Sequence, residues 1–357
     1  MPKATTSAMP LEALSQVLDG HGLGGHGGAP HRQESTTVAG LDLPAVVGDL
    51  PRVEIALRHA VAAEDPFLTE VAHTLIAAGG KRIRPLLALA AGHLGTGSAT
   101  DAVVQAGVAV ELIHLGSLYH DDVMDEAETR RGVTTANARF GNFVAIMAGD
   151  FCLARASQIA AALGTEMAGL MAATIGRLCE GQVREVQFVF NIDRTESAYL
   201  QAIEGKTASL MATACRAGAI AADLPRAHID ALTSYGLQLG MVFQIQDDVL
   251  DIVATDEQLG KPAGNDVVEG VYTLPVIRAL LDPTHGEELR SVLDGPLEPA
   301  AVDRVRKLVK ASGGVDAAIA VGQGYAAAAA AALGGFDGAL ADGLRSLGVT
   351  LLNRLPL

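Results

Sequence analysis

Two short acidic motifs, DDVMD at Asp121–Asp125 and DDVLD at Asp247–Asp251, carry the most chemistry in this chain. On a helix, Asp121, Asp122 and Asp125 fall within an arc of about 100° on one face. Three carboxylates on one face repel each other, and no Lys or Arg stands within one turn upstream to relieve them. The preceding stretch, GVAVELIHLGSLYH, is strongly apolar, so the cluster is expected at the end of a buried helix. Such a cluster needs a cation. Carboxylate oxygens with room for water suit Mg²⁺, which takes one or two carboxylates and completes its shell with water and phosphate oxygens. A single DDxxD is more often a solvated acidic helix end, because short motifs recur by chance. The second motif changes that balance: Asp247, Asp248 and Asp251 repeat the spacing after another apolar run, LQLGMVFQIQ, with Gln244 one turn earlier on the same side. Two acidic helix ends facing each other across a cavity can hold several divalent ions, and a diphosphate would complete their shells.

The cationic residues have the same logic. GGKRIRP puts Lys81, Arg82 and Arg84 at a glycine-loosened helix start, where backbone N–H groups and basic side chains together make an anion site. Arg130 and Arg131 follow the first acidic motif, Lys206 and Thr207 lie in EGKTASL, and Lys261 lies in LGKPAG. Each alone reads as a surface charge. Their concentration beside carboxylates and glycine turns carries weight because the chain as a whole is acidic, at −15. That balance also argues against nucleic-acid binding, which needs a basic face.

The elements that must position these residues are helices. Hydrophobic residues make up 49% of the 357, aromatics only 4%, and tryptophan is absent, so alanine and leucine fill a core suited to helix-on-helix packing. From Leu41 onward, apolar residues recur at three- and four-residue spacing, and β-branched runs with hairpin turns are missing. One all-α domain of about ten or more helices over residues 41–357 is expected, several of them buried on most faces. Residues 1–40, rich in glycine and histidine from Gly20, read as a flexible tail, and His21, His26 and His31 as solvated rather than metal-bound. Cys152, Cys179 and Cys215 read as buried thiols of a reducing, cytoplasmic compartment. No signal peptide and no uninterrupted apolar run of about 18 residues are seen, so no membrane span is expected.

Taken in order, GGKRIRP, HLGSLYHDDVMDEAETRRG, GKT, FQIQDDVLD, GKPAGND and TLP resemble the trans-isoprenyl diphosphate synthases, the polyprenyl synthetase family, from about residue 45 to the C-terminus. The resemblance implies an isoprenoid-synthase helical bundle around a deep central cavity, usually a homodimer. It also implies an Mg²⁺-dependent prenyltransferase of isoprenoid biosynthesis, joining isopentenyl diphosphate to an allylic diphosphate with two or three ions. Residue by residue, Lys81, Arg84, His114 and Arg131 match the isopentenyl diphosphate site. Asp121, Asp122, Asp125, Asp247 and Asp251 match the metal clusters, with Asp248 beside them. Arg130, Lys206, Thr207, Gln244 and Lys261 match contacts to the allylic diphosphate, and Lys206 stands with the aspartates as catalytic. One departure is visible: family members often carry lysine two residues before the threonine of TLP, where this chain has Val271.

The chemistry implied is loss of diphosphate from an allylic C1, attack by the double bond of isopentenyl diphosphate, and loss of a proton to the departing diphosphate. Preorganised charge supplies the largest effect. Gly116 and Ser117, one turn before Asp121, are small where bulky aromatics in the family floor the cavity. A deeper tunnel lined by Ile113, Ala109 and Val110 is therefore expected, with a product of thirty carbons or more, of the kind used for quinone side chains. The plainer reading is that Gly116 and Ser117 only allow close helix packing. A short-chain farnesyl or geranylgeranyl synthase stays open, as does a catalytic subunit needing a different partner. A class I terpene cyclase is the rival of another class; it has no use for a second diphosphate pocket.

Overall fold

The computed structural model describes residues 44–259, 262–295 and 297–357. The 1–40 segment with its three histidines, and Lys261, lie outside the described residues. Helices follow one another from Pro44: α1 (Pro44–Gly48), α2 (Leu50–Ala60), α3 (Pro66–Ala77), α4 (Ile83–Thr96) and α5 (Asp101–Met124). A two-residue hairpin, β1 (Thr129–Arg130) with β2 (Val133–Thr134), and α6 (Ala136–Phe140) lead into α7 (Asn142–Leu163) and α8 (Thr165–Val186). Then α9 (Glu196–Ile203) passes through a π-helical turn (Glu204–Ala208) into α10 (Ser209–Ala221) and α11 (Arg226–Val253). The chain ends with α12 (Asp256–Leu259), α13 (Asn265–Val268), α14 (Leu274–Ala279), α15 (Gly286–Leu293), α16 (Pro299–Ala311), α17 (Gly314–Ala332) and α18 (Ala339–Leu352).

The starts of these helices are written locally. Asp65, Thr100, Thr135 and Thr195 each accept a first-turn backbone N–H, opening α3, α5, α6 and α9. Packing then decides their places. α5 lies at the centre against α4, α7 and α10, and α11 packs on α10 and α17. Residues on every side of α5 are buried, from Val103 through Ala109, Leu112 and Ile113 to Tyr119, as an all-round apolar sequence requires. The all-α expectation holds apart from the β1–β2 hairpin, which the sequence reading did not foresee.

Two further expectations are corrected. Cys152 and Cys215 are buried, with burial pushing both thiols up to about 12, but Cys179 is exposed. It lies in the wall of the cavity described below, where an apolar surrounding sequence does not mean burial. Length and composition also make α5, α7 and α17 each apolar enough to cross a membrane. The sequence reading asked for an uninterrupted apolar run, whereas a mean over 18 residues tolerates isolated polar ones. For α5 the apolar window is 78% buried inside the protein; for α7 and α17 the figures are 33% and 28%.

Candidate active site

Both acidic motifs sit at the C-terminal ends of long helices, one on the last turn of α5 and the other on the last two turns of α11. Helix carbonyls already concentrate negative charge there, so carboxylates in that place call for cations. Within each motif the aspartates divide. Asp122 is 1% exposed; its Oδ1 accepts from Arg130 Nε at 2.5 Å, while Oδ2 is buried with no hydrogen-bond partner. Asp248 is likewise buried, with Oδ2 accepting from the Tyr199 hydroxyl at 2.5 Å and Oδ1 from Gln244 Nε2 at 2.8 Å. Burial pushes Asp248 up to about 7. Asp251 is buried too, and takes the backbone N–H groups of Asn265 and Asp266, fixing the loop that starts α13. Asp125 and Asp247 are exposed and Asp121 is half-buried.

The cationic residues also separate into roles. Arg82 is structural: it is buried and bonded to Glu54 at 2.5 Å and to Glu111 at 3.0 Å, with Ile76 O at 3.2 Å. Its pairing leaves Lys81 exposed and Arg84 turned into the site, with Arg84 Nε lacking a partner. Arg131 arrives from the hairpin. Arg130 pairs with Val133 across a turn in which Arg131 and Gly132 have φ of 53° and 76°, the left-handed pair that a tight two-residue hairpin needs. That turn carries the Arg131 guanidinium to the Gly79 carbonyl. A Cβ on Gly80 would stand 2.7 Å from it, so the second glycine of GGKRIRP makes room for Arg131. His114 lies among Arg84, Arg131, Arg130 and Arg82; burial first, and these charges second, hold its pKa well below the usual value, so the imidazole is neutral.

GKT occupies the π-helical turn, a local irregularity frequent at functional sites. Gly205 there meets Gly181 of α8 so closely that a Cβ would lie 2.9 Å from Gly181 Cα. This brings Lys206 Nζ into an ion pair with Glu185, one turn beyond Gly181. The Lys206 charge also acts on Asp121 and Asp125. Thr207 donates to Gln244 at 2.7 Å, which continues the chain to Asp248 and Tyr199. Sequence reasoning missed Tyr199, Glu185 and Glu111. Each sits in an ordinary helical pattern, and only the packing shows what it pairs with.

Some of these groups line one cavity of about 580 Å³. Arg84, His114, Asp121, Lys206 and Thr207 line it together with the apolar Leu118, Ile146, Leu178, Val183 and Leu210, of which Ile146 and Val183 are also exposed to solvent. The charge of Asp247 reaches Arg84, and Glu269, whose carboxylate accepts from Asn265 near the second motif, acts on Asp125, so the two motifs are electrostatically linked. Burial raises Asp121 and Asp125, helped by the like charge of a neighbouring carboxylate and opposed by Lys206 and Arg130. Among the described residues no three such side chains converge into a preformed metal site. The donor set suits a hard ion whose shell is finished by a ligand's phosphates.

The residues expected to govern chain length are not placed alike. Ser117 lines the cavity. Gly116 instead packs against α7, where a Cβ would lie 3.0 Å from Gly149 O and 3.1 Å from the Leu153 side chain. Ile113, Ala109 and Val110 are fully buried in the core and do not line the cavity. The depth runs sideways from α5 toward α7 and α8, because residues one and two turns back along a helix packed on all sides face its neighbours.

Residues 65–312 match the family model described as polyprenyl synthetase. The chain is 40% identical over 307 residues to nonaprenyl diphosphate synthase of Mycobacterium tuberculosis, covering 84% of this chain and 91% of that one. It is 43% identical over 235 residues to heptaprenyl diphosphate synthase component 2 of Geobacillus stearothermophilus, covering 66% and 73%. The crystal structure of a polyprenyl synthase from Caulobacter crescentus complexed with calcium and isoprenyl diphosphate superposes with a TM-score of 0.82 at 32% identity, over 91% of this chain and all of that one. The family match over residues 65–312 and these relatives show that the chain belongs to the polyprenyl synthetase family, whose members are prenyltransferases.

Proposed function

We propose that this enzyme condenses isopentenyl diphosphate with an allylic diphosphate to make an all-trans polyprenyl diphosphate of thirty carbons or more. The observation that carries this reading is one cavity lined by Arg84 and His114, by Asp121, Lys206 and Thr207, and by apolar side chains of α5, α7, α8 and α10. Arg84, Arg131 and Lys81 hold the isopentenyl diphosphate by charge, and neutral His114 adds a hydrogen bond without further repulsion among the arginines. Lys206, Arg130, Thr207, Gln244 and Lys261 serve the allylic diphosphate. Asp121, Asp125 and Asp247 would hold two or three Mg²⁺ ions, with Asp122 and Asp251 as further candidates; when bound, magnesium neutralises charge on the leaving diphosphate. Asp248 keeps Gln244 and Tyr199 in place. The apolar depth between α5, α7 and α8 receives the growing chain and keeps water from the allylic cation.

The long product is supported by the lack of Phe, Tyr and Trp among the described residues that line the cavity and by the long-chain synthases among the relatives. We further read the protein as a cytoplasmic homodimer, on its three unpaired cysteines and on the exposed apolar residues of α7. The likeness to a heptaprenyl synthase component keeps a heteromeric partner as an outcome to be tested. Incubation of the purified chain with isopentenyl diphosphate, Mg²⁺ and C5, C10, C15 or C20 allylic primers separately tests the whole reading. A product of thirty carbons or more, abolished by a chelator and lowered in kcat at least about 10²-fold by Asp121→Asn, is expected. A hydrocarbon formed from an allylic diphosphate alone would overturn it in favour of a cyclase, and activity only with a second protein would identify a subunit.

A further inference from the structure

Thr207 has one hydroxyl hydrogen, and it is donated to Gln244 Oε1 at 2.7 Å. The direction of that bond is imposed from behind. Gln244 Nε2 donates at 2.8 Å to Oδ1 of Asp248, which leaves the amide oxygen, an acceptor only, turned to Thr207. The second oxygen of Asp248 is occupied by the Tyr199 hydroxyl at 2.5 Å. Tyr199 stands at the head of this series and is 1% exposed. Burial first, and the charge of Asp248 second, hold its hydroxyl well above the ordinary value, so it stays a donor. Three elements, α9, α11 and the π-helical turn, thus contribute to one directed chain of hydrogen bonds.

The far end of the chain opens on the main cavity. Thr207 lines it beside Lys206, and with its hydrogen spent the Thr207 oxygen can only accept. Adjacent residues therefore present opposite polarity, an ammonium at 206 and an acceptor oxygen at 207. A C–O bond that breaks heterolytically needs that pattern. The electron pair leaves with the diphosphate oxygen, for which Lys206 is the partner, and positive charge stays on the allylic carbons, which the negative end of a fixed dipole stabilises. No proton moves at Thr207. A hydroxyl left to rotate would turn its hydrogen to a phosphate oxygen, and its dipole would no longer favour charge on carbon.

We propose that Tyr199 is a positioning residue that acts through Asp248 and Gln244 to hold Thr207 with its oxygen toward the carbon end of the allylic substrate. The proposal rests on the function proposed above and names what orients one wall of its allylic site. Tyr199 itself is buried behind Asp248 and is not among the residues that line the main cavity. Removing its hydroxyl leaves one oxygen of Asp248 without that donor, so the carboxylate can turn and release Gln244, and with it Thr207.

The test is a double-mutant cycle of Tyr199→Phe with Thr207→Val in Mg²⁺, reading kcat, KM for each substrate, the single-turnover rate of diphosphate release, and Tm. Tyr199→Phe is expected to lower kcat and the single-turnover rate about tenfold, the effect of one lost hydrogen bond to a charged group, with both KM values within about twofold of wild type. Thr207→Val should lower the same rates at least as much. In the Thr207→Val background, Tyr199→Phe should cost no more than about twofold further, because the end of the chain is already gone. A packing role for Tyr199 would instead give the same loss in both backgrounds, and that result overturns the proposal. So would Tyr199→Phe with wild-type kcat, a loss confined to the allylic KM, or Thr207→Val as active as wild type. Should Tyr199→Phe not fold, Asp248→Asn takes its place in the cycle, and additive losses there would likewise overturn it. Wild type inactive with isopentenyl diphosphate and every allylic primer would instead count against the proposed function itself.

Discussion

Asp121 and Asp122 are chain neighbours with different work. The first opens onto the cavity mouth, and the second is buried under Arg130. The same split separates Asp247 from Asp248, and it follows from the helix: adjacent residues point about 100° apart, so neighbouring carboxylates meet different surroundings. Ser117 makes this scale testable. It lines the cavity, and its hydroxyl is turned back to the His114 carbonyl at 2.8 Å, leaving the space beyond it open. Ser117→Phe is expected to shorten the product by several isoprene units, with little change in consumption of the first isopentenyl diphosphate. Product analysis by chromatography checks it; an unchanged chain length would mean that the hydrocarbon passes elsewhere.

Among the elements, the π-helical turn decides most. A regular α-helix through Glu204–Ala208 would rotate Lys206 away from its present neighbours; the wider turn keeps it near Glu185 and two aspartates of the first motif, Asp121 and Asp125. The turn depends on backbone contact between Gly205 and Gly181. Gly205→Ala places a Cβ 2.9 Å from Gly181 Cα and 3.0 Å from Arg177 O, so α8 or the turn must shift. Overpacking of this kind costs about 1–3 kcal/mol. A lowered Tm is expected together with a raised KM for the allylic substrate and an unchanged KM for isopentenyl diphosphate, since Arg84 and Arg131 stand on other elements. An equal rise in both KM values would show that the turn does not single out the allylic end.

At the scale of the whole molecule, α7 is the exposed wall of the cavity. Ile146, 39% exposed, lines the cavity, and Phe143, 76% exposed, and Met147, 41% exposed, are apolar neighbours on the same helix that do not line it. An apolar outer face on a thin wall is best covered by a second copy, which would also stiffen the channel for the growing chain. Phe143→Glu with Met147→Glu is expected to halve the mass seen by light scattering and to broaden the product distribution. A wild-type chain already monomeric at micromolar concentration would defeat this expectation.

The all-helical fold, both aspartate motifs and the cationic residues were legible in the sequence because they are local. Helical periodicity repeats every turn, and DDxxD or GGKRIRP has meaning within a few residues. What surrounds a helix is not local. Gly116 and Ser117 are adjacent and equally small, yet only the packing of α7 against α5 separates a contact glycine from a cavity-lining serine. Arg82 and Arg84 look alike in the motif until Glu54 and Glu111, 28 and 29 residues away, claim the first. Tyr199 gave no signal in the chain at all; its hydroxyl meets Asp248, 49 residues away, only where α9 packs on α11. By itself, then, the sequence determined the helices and the charged groups they carry. The tertiary structure alone decided which of those charges are neutralised by protein and which are left for a ligand, because pairing is set by distance in space.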